Sequence, residues 1–133
     1  MAIISMIPGG AGDTVDLLWS NPNPTNNFAE QDVTLSDTAS AYKKLRVTWA
    51  SGVSQAIVAN VDFDLTNISD YLSGQGHARI GWSWVNNSNR TFARNAYFRN
   101  TDYEILHFFE AREVHASGDG TAVCIPLAIY GIK

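Results

Sequence analysis

Apolar and polar residues alternate along most of the chain. In YKKLRVTWA (42–50), Leu45, Val47 and Trp49 fall on one face and Lys44, Arg46 and Thr48 on the other. AIVANVDFDL (56–65) sets Ile57, Ala59, Val61, Phe63 and Leu65 against Val58, Asn60, Asp62 and Asp64. HARIGWSWV (77–85) sets Ala78, Ile80, Trp82 and Trp84 against His77, Arg79, Gly81 and Ser83. RTFARNAYF (90–98) alternates Phe92, Ala96 and Phe98 with Thr91, Asn95 and Tyr97, and Arg94 interrupts its apolar side. A period of two is the signature of strands with one face in a core and one in water. The separators SNPNPTNN, SGVS, SGQG, NNSN, RNTD and SGDG are rich in residues that turn a chain. Short strands at this spacing predict an all-β fold, an antiparallel two-sheet β-sandwich of jelly-roll-like type. A single helical turn is expected near DTASAYKKL, and DYEILHFFEAREVH reads as strand rather than helix.

Residues 1–18 break the pattern. MAIISMIPGGAGDTVDLL is apolar, then glycine-rich, then apolar again. It reads as an N-terminal arm before a domain at 19–133, or as an edge strand folded back on that domain. It has no basic n-region, and its apolar run breaks at Pro8-Gly9-Gly10, too early for a signal peptide. No run approaches the ~20 apolar residues of a membrane span, so no membrane partner is expected.

Two strands are apolar on both faces. EILHFFEA carries Ile105, Phe109 and Ala111 on one side and Leu106 and Phe108 on the other. AVCIPLAIYGIK (122–133) sets Val123, Ile125, Leu127 and Ile129 against Cys124, Pro126, Ala128, Tyr130 and Ile132. A sandwich strand has one face toward water, so a second apolar face calls for a cover. Another copy of the chain, the N-terminal arm or a host particle would serve; self-association is the expected cover, giving a homo-oligomer with a trimer as the expected form. Its interface would include Ile105, Phe109, Pro126, Ile129, Tyr130 and Ile132. Pro126 cannot donate to a ladder, which places it at an edge or a bulge.

Composition narrows the class. Among 133 residues, 45% are apolar and 17% charged, enough for one folded domain rather than a disordered chain. The net charge of −4 argues against a nucleic-acid partner. A single cysteine, Cys124, excludes an intrachain disulfide and reads as a small buried hydrophobe.

Candidate chemistry is sparse. His107 and His115 would stand about 26 Å apart on a straight strand, and Glu113 with His115 makes only half a site, so no metal or other cofactor is expected. Asp62 and Asp64 are about 6.6 Å apart on one strand face, where they cannot flank a glycosidic bond. No G-x-S-x-G, G-x-G-x-x-G or P-loop is present, so no catalytic residues are assigned. Trp49, Trp82 and Trp84 fall on the core side. The outward aromatic is Tyr97, and Asn95 and Arg99 share its face. A ring that packs on a sugar and an amide that bonds hydroxyls make Asn95, Tyr97 and Arg99 a candidate glycan contact.

Two stretches together carry a resemblance. LLWSNPNPTNNFAEQDVTL (17–35) resembles the L-W-x-N-P-x-P-T-x-x-F-x-x-Q-x-[VI]-x-L opening of phage and prophage virion structural proteins, through Leu18, Trp19, Asn21, Pro22, Pro24, Thr25, Phe28 and Gln31. CIPLAIYGIK resembles their C-terminal I-P-x-x-I-Y-G-I-K ending, through Ile125, Pro126, Ile129, Tyr130, Gly131 and Ile132. The resemblance implies a non-enzymatic, mostly β virion component, made in a bacterial cytoplasm. It would be oligomeric, in contact with other virion proteins and with a host-surface glycan. Longer members carry a shaft or attachment region that this sequence lacks, which leaves tail-fibre, tail-tip and head-decoration roles open. The rival readings are a monomeric lectin-like module and a small hydrolase.

Overall fold

The computed structural model describes residues 14–74, 78–114 and 119–133. Its ten strands form two antiparallel sheets packed face to face. The first sheet has the order β1 (Val15–Ser20), β10 (Val123–Ile132), β3 (Lys44–Gly52), β4 (Val58–Asp64). The second centres on β6 (Thr91–Phe98), with β5 (Ile80–Val85) on one side. On its other side β7 (Ile105–Phe108) and β8 (Ala111–Glu113) lie one after the other, and they pair outward with β2 (Gln31–Thr34) and β9 (Asp119–Gly120). The chain crosses between sheets at β1→β2→β3, at β4→β5 and at β9→β10. This is the antiparallel two-sheet sandwich that the alternation predicts. The expected helical turn is a one-turn 3₁₀ helix at Ala39–Ala41, capped by the Thr38 hydroxyl. Among the described residues, no helix is long and apolar enough to cross a membrane.

Between the sheets the alternating apolar residues meet. Leu45, Val47 and Trp49 of β3 are fully buried, as are Ala96 and Phe98 of β6 and Leu106 and Phe108 of β7. Their aromatic rings join the layers: Trp49 meets Phe108 edge-on at 5.9 Å and stacks on Trp82 at 6.2 Å. Trp19 and Phe28 close the cluster against Phe108. Such pairs add about 0.5–1.5 kcal/mol each beyond area burial.

The arm boundary expected at residue 18 needs correction. Val15–Ser20 is β1, paired along β10, and Leu18 is buried in the core. A bulge at Leu18 turns that side chain inward beside Trp19. Residues 1–13 of the expected arm lie outside the described residues.

The closing strand resolves its two apolar faces within its own chain. β10 is a central strand, not an edge, because β1 and β3 pair on its two sides. Its register against β3 slips by one residue between Pro126 and Ala128. Residues opposite one another in an antiparallel pair share a face. Pro126 stands opposite the buried Trp49, and Ile129 opposite the buried Val47, so residues of both parities point inward. Proline is tolerated there because the bulge leaves a ladder position open.

The expected interface set therefore does not form one surface. Pro126 and Ile129 are fully buried in their own chain, and Ile132 is 9% exposed. Tyr130 lies half-buried on the outer face of the first sheet, beside exposed Leu17. Ile105 and Phe109 lie half-buried on the outer face of the second sheet, on the far side of the molecule.

The opening and closing stretches are physically joined. The Asn21 N–H donates to the Leu127 carbonyl at 2.8 Å, and the Asn21 amide to the Pro126 carbonyl at 3.0 Å, so this asparagine satisfies the bulge. Gly131 lies under the Tyr42 ring, where an added Cβ would come within 2.5 Å of the ring carbons. The Tyr42 hydroxyl donates to Asp16 of β1 at 2.8 Å. Burial, with the Asp16 carboxylate second, holds that phenol well above the usual tyrosine range.

One buried charge ties the two sheets together. Arg94 of β6 is 1% exposed. Its Nε donates to the Cys124 carbonyl at 2.8 Å, its Nη1 to the Phe109 carbonyl at 2.8 Å and its Nη2 to the Val123 carbonyl at 3.1 Å. The guanidinium also lies 5.1 Å over the Phe28 ring. Two irregularities supply these acceptors. Cys124 has φ of 49°, in the left-handed region, which breaks the alternation of strand carbonyls so that two successive ones reach the same cation. The pairing of β6 with β7 and β8 slips by one residue across Phe109–Glu110, and Phe109 turns its carbonyl inward. Desolvation lowers the Arg94 pKa to about 10, so it remains charged near neutral pH. Replacing it with methionine strands three carbonyls at the sheet junction. We predict that Arg94→Met lowers unfolding free energy in urea by about 3 kcal/mol or more, against less than about 1 kcal/mol for the exposed control Arg99→Met.

Candidate glycan-binding face

The outer face of the second sheet carries the richest exposed chemistry among the described residues. Alternation on β6 sends Ala93, Asn95 and Tyr97 outward, because Arg94, Ala96 and Phe98 face the core. Pairing with β7 brings Tyr97 opposite His107. Alternation beyond His107 sends Phe109 to the same face, beside both. The three rings touch pairwise: Tyr97–His107 at 5.3 Å, Tyr97–Phe109 at 5.2 Å and His107–Phe109 at 5.3 Å between centroids. The Arg79 guanidinium lies over the Tyr97 ring at 5.3 Å, a cation–π contact of about 0.5–1 kcal/mol at an exposed site.

Carboxylates frame this cluster. His107 Nδ1 lies 2.7 Å from Asp32 Oδ1, and its Nε2 lies 2.8 Å from Glu30 Oε2. Only the doubly protonated ring donates at both nitrogens. Arg99 reaches the same Asp32 oxygen at 3.7 Å. At the other end Arg90 holds Glu113 with two hydrogen bonds, one of them Nε to Oε2 at 2.9 Å, which keeps that carboxyl below the usual range.

Beside the rings lies an open cavity of about 610 Å³. It is lined by the apolar Ala93, Phe109 and Val114, by the Asn95 amide, and by the charged Glu30, Arg79, Glu110, Arg112 and Glu113. The volume falls in the range of small-ligand sites. An aromatic ring, an amide and ionic groups around a shallow hollow suit a polyhydroxylated ligand. Apolar C–H faces of a sugar ring pack on the aromatic ring, and its hydroxyls bond to the amide and the charged groups.

The three expected glycan contacts separate here. Asn95 lines the cavity, and Tyr97 backs it through Phe109 and Arg79. Arg99 shares the sheet face but pairs with Asp32 outside the cavity. Alternation within one strand picked out Asn95 and Tyr97 but not Glu30, Arg79 or Glu110, which come from other elements. Phe109, expected at a subunit interface, lines this cavity.

The other candidate chemistry stands elsewhere. Asp62 makes a two-pronged ion pair with Arg46, at 2.7 and 3.0 Å, and that hydrogen bonding lowers its carboxyl pKa. Asp64 accepts the Thr66 N–H at 2.7 Å. Burial pushes the Cys124 thiol up to about 11, which leaves it a poor nucleophile. His77 and His115 lie outside the described residues. Among the described residues, no group of three or more His, Cys, Asp or Glu side chains is arranged to hold a metal ion.

No family model matches the chain, and its sequence matches no curated protein.

Phe109 links the ring cluster to the cavity while remaining half-buried. We predict that Phe109→Ala lowers stability by about 1–2 kcal/mol, well short of the 3–5 kcal/mol of a core phenylalanine such as Phe108. Thermal denaturation followed by far-ultraviolet circular dichroism measures both.

Proposed function

We propose that the chain is a non-enzymatic structural subunit of a phage virion, of tail-fibre, tail-tip or head-decoration kind, and that the outer face of its second sheet binds a glycan of the host surface. The glycan part rests on one observation: the 610 Å³ cavity lined by Phe109 and Asn95, with the ring cluster of Tyr97 behind it. The virion part is supported by the resemblance of residues 17–35 and 124–133 to virion proteins. Packing of these two stretches as neighbouring strands gives their shared motif a physical reason, since Asn21 bonds the Pro126–Leu127 bulge and Gly131 admits Tyr42.

A glycan array tests the binding. The wild-type chain is expected to retain a restricted set of glycans, and Tyr97→Ala to lose that retention about tenfold or more through loss of Arg79 and Phe109 positioning. Uniform absence of retention by the wild type would remove the reading.

A lectin-like monomer would use the same face, so self-association separates the two. Leu17, 54% exposed, lies opposite half-buried Tyr130 on the outer face of the first sheet, with Val15 and Ile132 alongside. This is the apolar surface a second copy would cover, and the ion pair Arg46–Asp62 bounds it. Analytical ultracentrifugation is expected to give a multiple of 14.6 kDa for the wild type and a smaller species for Tyr130→Glu. A wild-type monomer would leave the lectin-like reading. Ile129→Asp is unsuited to this purpose, because it places a charge in the core.

A further inference from the structure

The glycan reading leaves the length of the ligand open, and the surface beside the cavity bears on it. A second hollow of about 250 Å³ is lined by Gly81, Trp82, Ser83, Ala93, Arg94 and Asn95. Alone it falls below the ~300 Å³ at which ligand pockets begin. It is not alone: Ala93 and Asn95 line both hollows. The two are therefore neighbouring parts of one trough on the outer face of β5, β6 and β8.

The pairing explains the trough. Gly81 stands opposite Asn95, and Ser83 opposite Ala93, which in turn stands opposite Arg112 of β8. Outward positions on β5 and β6 thus carry glycine, serine and alanine in a block, and the longer Arg112 stands beside them on β8. Gly81 is held small by its neighbours. An added Cβ would sit 2.9 Å from the Asn95 Cβ and 3.0 Å from the Arg94 carbonyl oxygen. The Asn95 side chain occupies that space and stands at the join of the two hollows.

The halves differ in chemistry. The larger has the aromatic Phe109 and the charged Glu30, Arg79, Glu110, Arg112 and Glu113. The smaller offers the Ser83 hydroxyl and the Asn95 amide, which are neutral donors and acceptors. We infer that the ligand is an oligosaccharide of at least two rings, with one ring against Phe109 in the larger hollow and an adjoining uncharged ring over Ser83 and Ala93. This rests on the glycan reading of the same face. Asn95 is then the residue that both rings share.

The test uses the full chain on an array that displays each glucose, galactose and N-acetylglucosamine series as one-, two-, three- and four-ring members. Retention within the bound series is expected to rise about tenfold from one ring to two. Ser83→Trp fills the smaller hollow from an exposed position on an edge strand. It is expected to abolish the gain from the second ring, and a far-ultraviolet circular dichroism spectrum and melting midpoint matching the wild type report that the variant is folded. Equal retention of one- and two-ring members, or an unchanged gain in Ser83→Trp, would overturn the two-ring inference while the glycan reading stands. No retention of any member would defeat the glycan reading itself, and this inference with it.

Discussion

The guanidinium of Arg94 is the point at which the sheets are locked in register. A buried cation is costly unless its donors are satisfied. Here the acceptors are main-chain carbonyls of Val123, Cys124 and Phe109, so the side chain fixes backbone positions on β10 and on the β7–β8 track at once. Two departures from regular strand geometry exist at those acceptors: the left-handed Cys124 and the bulge at Phe109–Glu110. A left-handed non-glycine residue costs about 1–3 kcal/mol. Hydrogen bonds to a charged group contribute about 1.5–3 kcal/mol each, so three of them offset that strain. Phe109 itself lies outward by the alternation of β7, two residues after His107, and the slip beyond it turns Ala111 into the core.

The bulges also explain why a strand apolar on both faces needs no second molecule to cover most of it. In a regular strand, Pro126 and Ile129 would point to opposite faces. The extra residue at Leu127 brings both inward, and Asn21 supplies the donors the interrupted ladder lacks. What remains outward is small or flanked: Ala128 and Ile132 are nearly covered by the strands beside them, and only Tyr130 next to Leu17 keeps notable apolar exposure. The surface left for association is narrower than the sequence pattern implies, and it involves β1 as much as β10.

Legibility in the sequence follows the same division. Regular strands were readable: β3, β4, β5 and β6 fall on the alternating stretches, and Trp49, Phe98 and Leu45 are in the core as their parity requires. Arg94, the one residue out of pattern on β6, was visible as an interruption, but nothing in its own strand reveals carbonyls turned toward it. Bulges hide in the same way, since a one-residue slip leaves hydrophobic composition unchanged and reverses the facing of everything beyond it. That slip puts Pro126 and Ile129 in the core, where the strand pattern predicts an interface. Of the candidate face, Asn95 and Tyr97 are legible as neighbours two apart on one strand. Glu30, Arg79 and Glu110 are not, because they are brought together by cross-strand register.

The two outer faces can then be compared on physical grounds. On the first sheet, the β3–β4 half is neutralised by its own pairs, Arg46 with Asp62 and Thr48 with Asn60, both at hydrogen-bonding distance. Such exposed pairs consume the groups a ligand would need and add about 0–1 kcal/mol to stability. On the second sheet the polar groups stand around a hollow instead of across a ladder, and the floor between them is kept low by Gly81, Ser83 and Ala93. Gly81 is kept small by the Asn95 side chain, but at Ser83 and Ala93 a face that served only stability would carry β-branched or aromatic residues, which pack best on a pleated surface. Small residues in the middle of a paired strand give up that packing. The aromatic rings gathered at one end of the trough are what a ligand with both apolar and hydroxylated faces would rest upon.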